Sequence, residues 1–153
     1  MKRARTHLAQ RRGLLAAGLA LVPMIWVRQA SANKAELDAA VRAFAGAATV
    51  QPGRVQLEIA PLVENGNAVP VTVRVESPMS AADHVQRIAL FNERNPQREV
   101  ASFLLGPRAG RAEVSTRIRL ATSQQLVALA QMSDGSVWSH RVDVLVTLAA
   151  CIE

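Results

Sequence analysis

From Val55 onward apolar side chains return at every second position, the period of a half-buried strand. Val55, Leu57 and Ile59 share one face of a first predicted strand, closed by Pro61. Val69, Val71, Val73 and Val75 share one face of a second, against Thr72, Arg74 and Glu76 on the other, and Pro78 ends it. The run Glu64-Asn65-Gly66-Asn67 lies between them, and its central Asn-Gly predicts a hairpin turn. Further strands are predicted over residues 84–91, 99–105, 112–120, 125–131 and 137–148, separated by Asn95-Pro96, Gly106-Pro107, Gly110 and Asp134-Gly135. Residues 124–132 are rich in Ala, Leu and Gln and would suit a helix by composition; the turn that follows favours a strand.

Ahead of this region the period changes. Leu37, Val41 and Phe44 fall at i, i+4 and i+7, one apolar stripe of a helix. Asn33 with Glu36 three residues later reads as a capping-box start, and Gly46 as the stop. The predicted organisation is a short helix over residues 33–48, a sandwich over 49–148 and a terminal arm over 149–153. Seven short strands in about 100 residues point to an all-β chain, an immunoglobulin-like antiparallel β-sandwich preceded by a short N-terminal helix.

Residues 1–32 read as an export signal. Lys2, Arg3, Arg5, Arg11 and Arg12 form a basic head, residues 13–27 are apolar but short for a membrane span, and Ala30-Ser31-Ala32 offers cleavage before Asn33. The run QRRGLLAAG resembles a twin-arginine signal, which exports folded proteins; Gln10 and Leu14 depart from its usual residues. The alternative is an uncleaved N-terminal anchor.

Charge looks different once this label is set aside. The chain carries 18 Lys and Arg against 12 Asp and Glu, and six of the basic residues but none of the acids lie in residues 1–32. The remainder holds 12 of each, so neither nucleic acid nor a membrane surface is an expected partner after signal cleavage. One domain of 121 residues with no tyrosine must build its core from aliphatic side chains and phenylalanine.

The chemistry-bearing residues are few. Cys151 is the single cysteine, so no internal disulfide forms although an exported protein would permit one. His84 and His140 could join it in a blue-copper-like metal set only with an axial Met, without the tight ligand loop such sites use. Either histidine could serve Cys151 as base in a cysteine hydrolase, but a nucleophile on a terminal arm is hard to hold against a base and an oxyanion hole. No glycine-rich phosphate loop and no serine elbow occurs. No metal and no cofactor are expected, and the chain does not read as a self-contained enzyme. Two readings of Cys151 stay open on the residues alone: an exposed thiol meant to be reached, or a small buried hydrophobe finishing the last strand.

Several runs narrow this. IAPLVENGNAVPVTVRVESPM (59–79), FNERNP (91–96), STRIRLATSQ (115–124), MSDGSVW (132–138) and VTLAAC (146–151) together resemble SoxY, the sulfur-carrier subunit of the periplasmic thiosulfate-oxidising (Sox) system. The resemblance implies an immunoglobulin-like sandwich, a heterodimer with a SoxZ-like subunit, and a cysteine near the C-terminus that carries sulfur, a role that falls on Cys151. It also implies transient contact with SoxAX, which couples thiosulfate to the cysteine, with SoxB, which hydrolyses off sulfate, and, where present, with SoxCD. An unpartnered sandwich of this size should leave an apolar patch for its partner, and the valine run 69–75 is one candidate.

The sequence departs from the family at its end. Where the family closes GGCGG, this chain reads Ala149, Ala150, Cys151, Ile152, Glu153. Glycine's backbone freedom is lost on both sides of the thiol. Two carboxylates beside it disfavour the thiolate and repel thiosulfate. Two functions follow: a periplasmic sulfur carrier using Cys151, or a non-cycling SoxY paralogue that acts as a binding or structural partner protein.

Overall fold

The computed structural model describes residues 26–150, with side chains from residue 33; Cys151, Ile152, Glu153 and residues 1–25, on which most of the expected export signal falls, lie outside the described residues. Helix α1 spans Trp26–Ala45. Strands follow as β1 Val50–Pro52, β2 Val55–Glu58, β3 Leu62–Val63, β4 Val69–Val75, β5 Val85–Asn92, β6 Glu99–Leu104, β7 Glu113–Ile118, β8 Gln124–Met132 and β9 Val137–Val146. The seven strands read from the alternation are all present, and residues 124–132 form a strand.

They make two sheets. The larger runs β1-β9-β8-β5-β6, with β3 also paired to β9; the smaller runs β2-β4-β7. The long pairings are antiparallel, as an immunoglobulin-like sandwich requires. Two short parallel pairings extend the edge of β9, β1 along its start and β3 along its end. Runs of two or three residues carry too little alternation to be visible in sequence, and only a partner some 80 residues away makes them strands.

Between the sheets lies the main core. Val55 and Leu57 of β2, Val69, Val71, Val73 and Val75 of β4, and Ile118 face Ile88, Leu90, Leu126, Ala128, Ala130, Met132 and Val144 of the larger sheet. The valine run is therefore internal and is not the free patch its pattern suggested; its outward neighbours Pro70, Thr72 and Arg74 make a polar face. Thr72 and Ser115 share a hydrogen bond there, and Arg74 bridges Glu113 and Glu58. The exposed leucines stand elsewhere: Leu62, Leu104, Leu145 and Leu148.

The opposite face of the larger sheet is closed by α1. Leu37, Val41 and Ala45 pack on Ala89, Phe91, Val127, Leu129 and Val137. Phe44 meets Phe91 edge-on at 5.9 Å between ring centroids, and the Arg87 guanidinium lies over the Phe44 ring. Gly46 ends the helix as predicted: at φ +60° its N–H bonds the Arg42 carbonyl, a left-handed cap that glycine adopts without strain.

The helix start is different. Asn33 and Glu36 sit inside α1 rather than at its cap, because the residues before Asn33 are already helical. Both are used instead by Arg98, which pairs with Glu36 and donates to Asn33 Oδ1 at 3.3 Å. A cap needs a non-helical residue ahead of it, and the capping-box pattern does not record what precedes it.

Candidate functional site

Four distant segments meet at the end of the sandwich where β8 begins and β9 finishes. The first is the loop after β5. Asn92 and Asn95 are buried there, and so is Gln124 at the start of β8. Burying an amide costs several kcal/mol on the order-of-magnitude scale unless it is bonded, and here each one is. Asn92 Oδ1 accepts the Asn95 N–H at 2.9 Å, and Asn92 Nδ2 donates to the Gln97 carbonyl at 2.8 Å. Asn95 Oδ1 accepts from Gln124 Nε2 at 2.8 Å and from the Ala121 N–H at 3.0 Å, while its Nδ2 donates to the Arg119 carbonyl at 2.7 Å. Gln124 Oε1 accepts the Arg94 N–H at 2.8 Å. Among the described residues no buried side-chain polar atom lacks a partner.

This network fixes residues 119–121 as a rigid shelf, and the shelf holds the rest. The Leu120 N–H donates to the Gly66 carbonyl at 2.9 Å, and the Ala150 N–H donates to the Leu120 carbonyl at 3.1 Å. The Gly66 N–H donates to the Leu148 carbonyl at 2.8 Å. Upstream, the Leu145 and Thr147 N–H groups donate to the carbonyls of Pro61 and Val63, and Thr147 Oγ1 to that of Glu64. The Val146 N–H donates to Ser123 Oγ at 2.9 Å. The end of the last strand and the segment after it are thus tethered at Leu145, Val146, Thr147, Leu148 and Ala150, the last of which is buried.

Gly66 therefore has a role that the hairpin reading missed. It is not among the residues with positive φ, so it does not form the predicted primed turn. β2 and β4 are antiparallel neighbours, but β3 and its loop come between them. A Cβ on Gly66 would lie 2.4 Å from the Leu120 carbonyl oxygen and 2.9 Å from the Ala150 nitrogen. Glycine is present because three backbones converge.

Cys151, the candidate sulfur-bearing residue, lies outside the described residues and is bonded directly to the tethered Ala150. The two histidines are apart from this end. His140 lies on β9 opposite Ala128, and its Nδ1 accepts the Leu57 N–H at 2.9 Å, so that nitrogen carries no proton. His84 sits beside Ser80 and Ser133 at the other end of the sandwich. The structure does not bring them together, and among the described residues no group of three His, Cys, Asp or Glu side chains is placed to hold a metal ion. No helix among the described residues is long and apolar enough to cross a membrane.

At that other end the turn between β8 and β9 is closed by bonds between neighbours. Asp134 accepts from the Ser136 hydroxyl at 2.6 Å and from its N–H at 2.8 Å. These bonds, with the nearby Arg54 charge, hold the Asp134 carboxyl below its ordinary range. Trp138 Nε1 donates to Ser136 Oγ, and Arg54 stacks on the Trp138 ring. On the outer face of the smaller sheet, the hydrogen bond that Arg74 donates to Glu113 is the main reason the Arg74 pKa is raised.

The profile of the sulfur oxidation protein SoxY matches residues 41–151, most of the chain, and its last matched residue is the cysteine. The chain belongs to the SoxY family. Among solved structures, the sulfur carrier protein SoxY from Chlorobium limicola f thiosulfatophilum is 33% identical, with a TM-score of 0.63 over 75% of this chain and 99% of that one. A superoxide reductase (neelaredoxin) from Ignicoccus hospitalis is 21% identical, with a TM-score of 0.55 over 61% of this chain and 80% of that one. The superoxide reductase from Nanoarchaeum equitans is 14% identical, with a TM-score of 0.53 over 63% and 100%. These two share the sandwich fold and carry no argument about chemistry. No curated protein matches significantly in sequence. Membership in SoxY places this chain with sulfur carriers rather than with enzymes.

Within that family the convergence of motifs gains a reason. ENGN, FNERNP and STRIRLATSQ lie far apart in sequence and are joined by the bonds among Gly66, Asn95, Leu120 and Ala121. Asn92, Asn95 and Gln124 were visible within two of these runs, but nothing in the alternation distinguishes a buried amide from a loop amide. The fourth run, MSDGSVW, serves the opposite end.

Proposed function

We propose that this chain is a periplasmic covalent sulfur carrier of thiosulfate oxidation, with Cys151 as the attachment point and a SoxZ-like subunit as its heterodimer partner. The observation that carries the reading is the family match, which extends from residue 41 to Cys151. The carrier supplies a thiolate and its partners supply the chemistry. In the first step the Cys151 thiolate and thiosulfate form an S–S bond, giving a cysteine S-thiosulfonate, and two electrons leave to the haem protein SoxAX. In the second, water adds to the terminal sulfonate sulfur through SoxB. Sulfate and two protons depart, and a persulfide stays on Cys151. Where a SoxCD dehydrogenase is present it oxidises that remaining sulfane. Export through a twin-arginine signal suits a protein that folds with its partner before crossing the membrane.

The exposed leucines Leu62 and Leu145, which are register partners on β3 and β9, and Leu148 support a partner surface beside the arm. Intact-mass spectrometry of the purified complex, after incubation with thiosulfate and a SoxAX-type cytochrome, tests the loading. A thiosulfate-sized adduct is expected on the wild type and none on Cys151→Ala. A folded protein whose Cys151 reacts with neither thiosulfate nor small thiol reagents would end the carrier reading.

The second reading, a SoxY paralogue that binds partners without cycling sulfur efficiently, is favoured by one observation: Ala149, Ala150, Ile152 and Glu153 replace the glycines of the carrier arm. Small misplacements of a reacting group cost on the order of 100-fold in rate. Converting residues 149–153 to Gly-Gly-Cys-Gly-Gly is expected to speed turnover by a thiosulfatase by at least roughly tenfold on the same argument. If the native arm outperforms the glycine arm with the organism's own enzymes, those enzymes have channels matched to it.

A further inference from the structure

We propose that Gly66 is the positioning residue of the arm: through a three-backbone contact that only glycine permits, it sets where the chain bearing Cys151 leaves the sandwich. The inference rests on the carrier reading for its biological meaning and on the described residues for its geometry. Gly66 gives its carbonyl to the Leu120 N–H and its N–H to the Leu148 carbonyl, and Leu120 in turn holds the Ala150 N–H. These three bonds form a closed path, Gly66–Leu120–Ala150 on one side and Gly66–Leu148 on the other. Its centre is so tight that a methyl group on Gly66 would overlap the Leu120 carbonyl oxygen.

Both colliding atoms belong to backbone, so no rotamer change relieves the overlap. The shelf cannot retreat either, because Asn95 ties it from below through the Arg119 carbonyl and the Ala121 N–H. The element with least holding it is the terminal one: Ala150 is kept by a single hydrogen bond and its own burial. A side chain on Gly66 therefore displaces Ala150 and frees the residue bonded to Cys151. Consecutive Cα atoms are about 3.8 Å apart, so with Ala150 fixed the Cα of Cys151 stays at that distance from it. Releasing residues back to Val146 would add roughly 3.3–3.6 Å of reach per residue freed. In a family arm of glycines the reach comes from backbone freedom; here Ala150 is docked, and it is docked beside Gly66.

The test uses the full chain in complex with its partner and a probe that owes nothing to thiosulfate chemistry. Gly66→Ala and Ala150→Pro both break the path, the second by removing the N–H that bonds Leu120 without adding bulk at Gly66. Hydrogen exchange at the Leu120 and Ala150 amides is measured in Gly66→Ala. Alkylation of Cys151 is measured with iodoacetamide and with a bulky maleimide in both variants and in the double variant. Faster exchange at Ala150 is expected in Gly66→Ala, and a roughly tenfold gain in the maleimide rate relative to iodoacetamide in each single variant, the population change that one or two backbone hydrogen bonds represent. The double variant should gain little more than either, because both changes release one contact. Unchanged relative alkylation in both variants, or additive gains in the double one, would overturn the proposal. If Gly66→Ala does not fold, unchanged relative alkylation in Ala150→Pro still overturns the proposal, because the path then holds nothing. Absence of sulfur loading on the wild type, with alkylation behaving as expected, would count against the carrier reading and leave the positioning role standing.

Discussion

The two ends of the sandwich are held in opposite ways. At the end of β9, four segments from residues 61–66, 92–98, 119–124 and 145–150 meet through buried amides and backbone bonds. At the other end, the turn between β8 and β9 is held by Asp134 and Ser136, two residues apart. A turn made by neighbours needs little help from the rest of the chain, here the ties of Ser133 to Ala82 and His84. An anchorage for a terminal segment does, since the last residues of a domain fray unless tied down. Three of the five runs that mark the family are spent on that anchorage, and one on the turn.

The contrast can be broken most severely at Asn95. Asn95→Ala strips partners from the Gln124 amide, the Ala121 N–H and the Arg119 carbonyl, and unsatisfied buried groups cost roughly 1–3 kcal/mol each. A loss of about 3 kcal/mol in unfolding free energy is expected, allowing for water entering the gap, with the midpoint of a urea titration lowered at unchanged slope. A loss as small as that from a turn variant would mean the network is not what holds this end.

Ser123→Ala is a milder probe of the same end. It leaves the Val146 N–H without its acceptor, for an expected loss of about 1 kcal/mol. Exchange of the Val146 amide should quicken while amides of β5 and β8 keep their protection. Global unfolding with no local signature would show that the last strand is not separately tethered.

The smallest effect belongs to the turn. Asp134 has a depressed pKa in the folded protein, so the stability it contributes is present above the ordinary aspartate range and is lost as pH falls through the folded pKa. Its main cause is the Ser136 hydroxyl, so Ser136→Ala should move the Asp134 titration upward, read from its side-chain carboxyl resonance, and flatten the acid limb of the stability curve slightly. The group is exposed and the shift in melting temperature should stay well below that of Asn95→Ala. An Asp134 titration unmoved by Ser136→Ala would place the cause in the Ser136 backbone N–H, which the substitution keeps, ahead of Arg54.

Much of this was legible beforehand because the signals are periodic or local. Val69 to Val75 alternate because one face is buried, Gly46 stops a helix because its φ is positive, and the Asp134-Gly135 turn needs only its own residues. The two-residue strand Leu62–Val63 was not legible, since its identity as a strand comes from β9 alone. The start of α1 was misplaced because Asn33 and Glu36 fit a cap in isolation, whereas the fold gives them Arg98 as partner.

The sequence by itself determined the sandwich, the family and the candidate thiol at Cys151, because burial period and motif content are properties of a linear string. Only the tertiary structure decided that the valine run faces inward, that Asn92, Asn95 and Gln124 are buried together, and that Gly66 serves a contact rather than a turn. Each of these depends on which distant backbone lies within about 3 Å, the range in which hydrogen bonds form and side chains collide, and no local pattern encodes that neighbour.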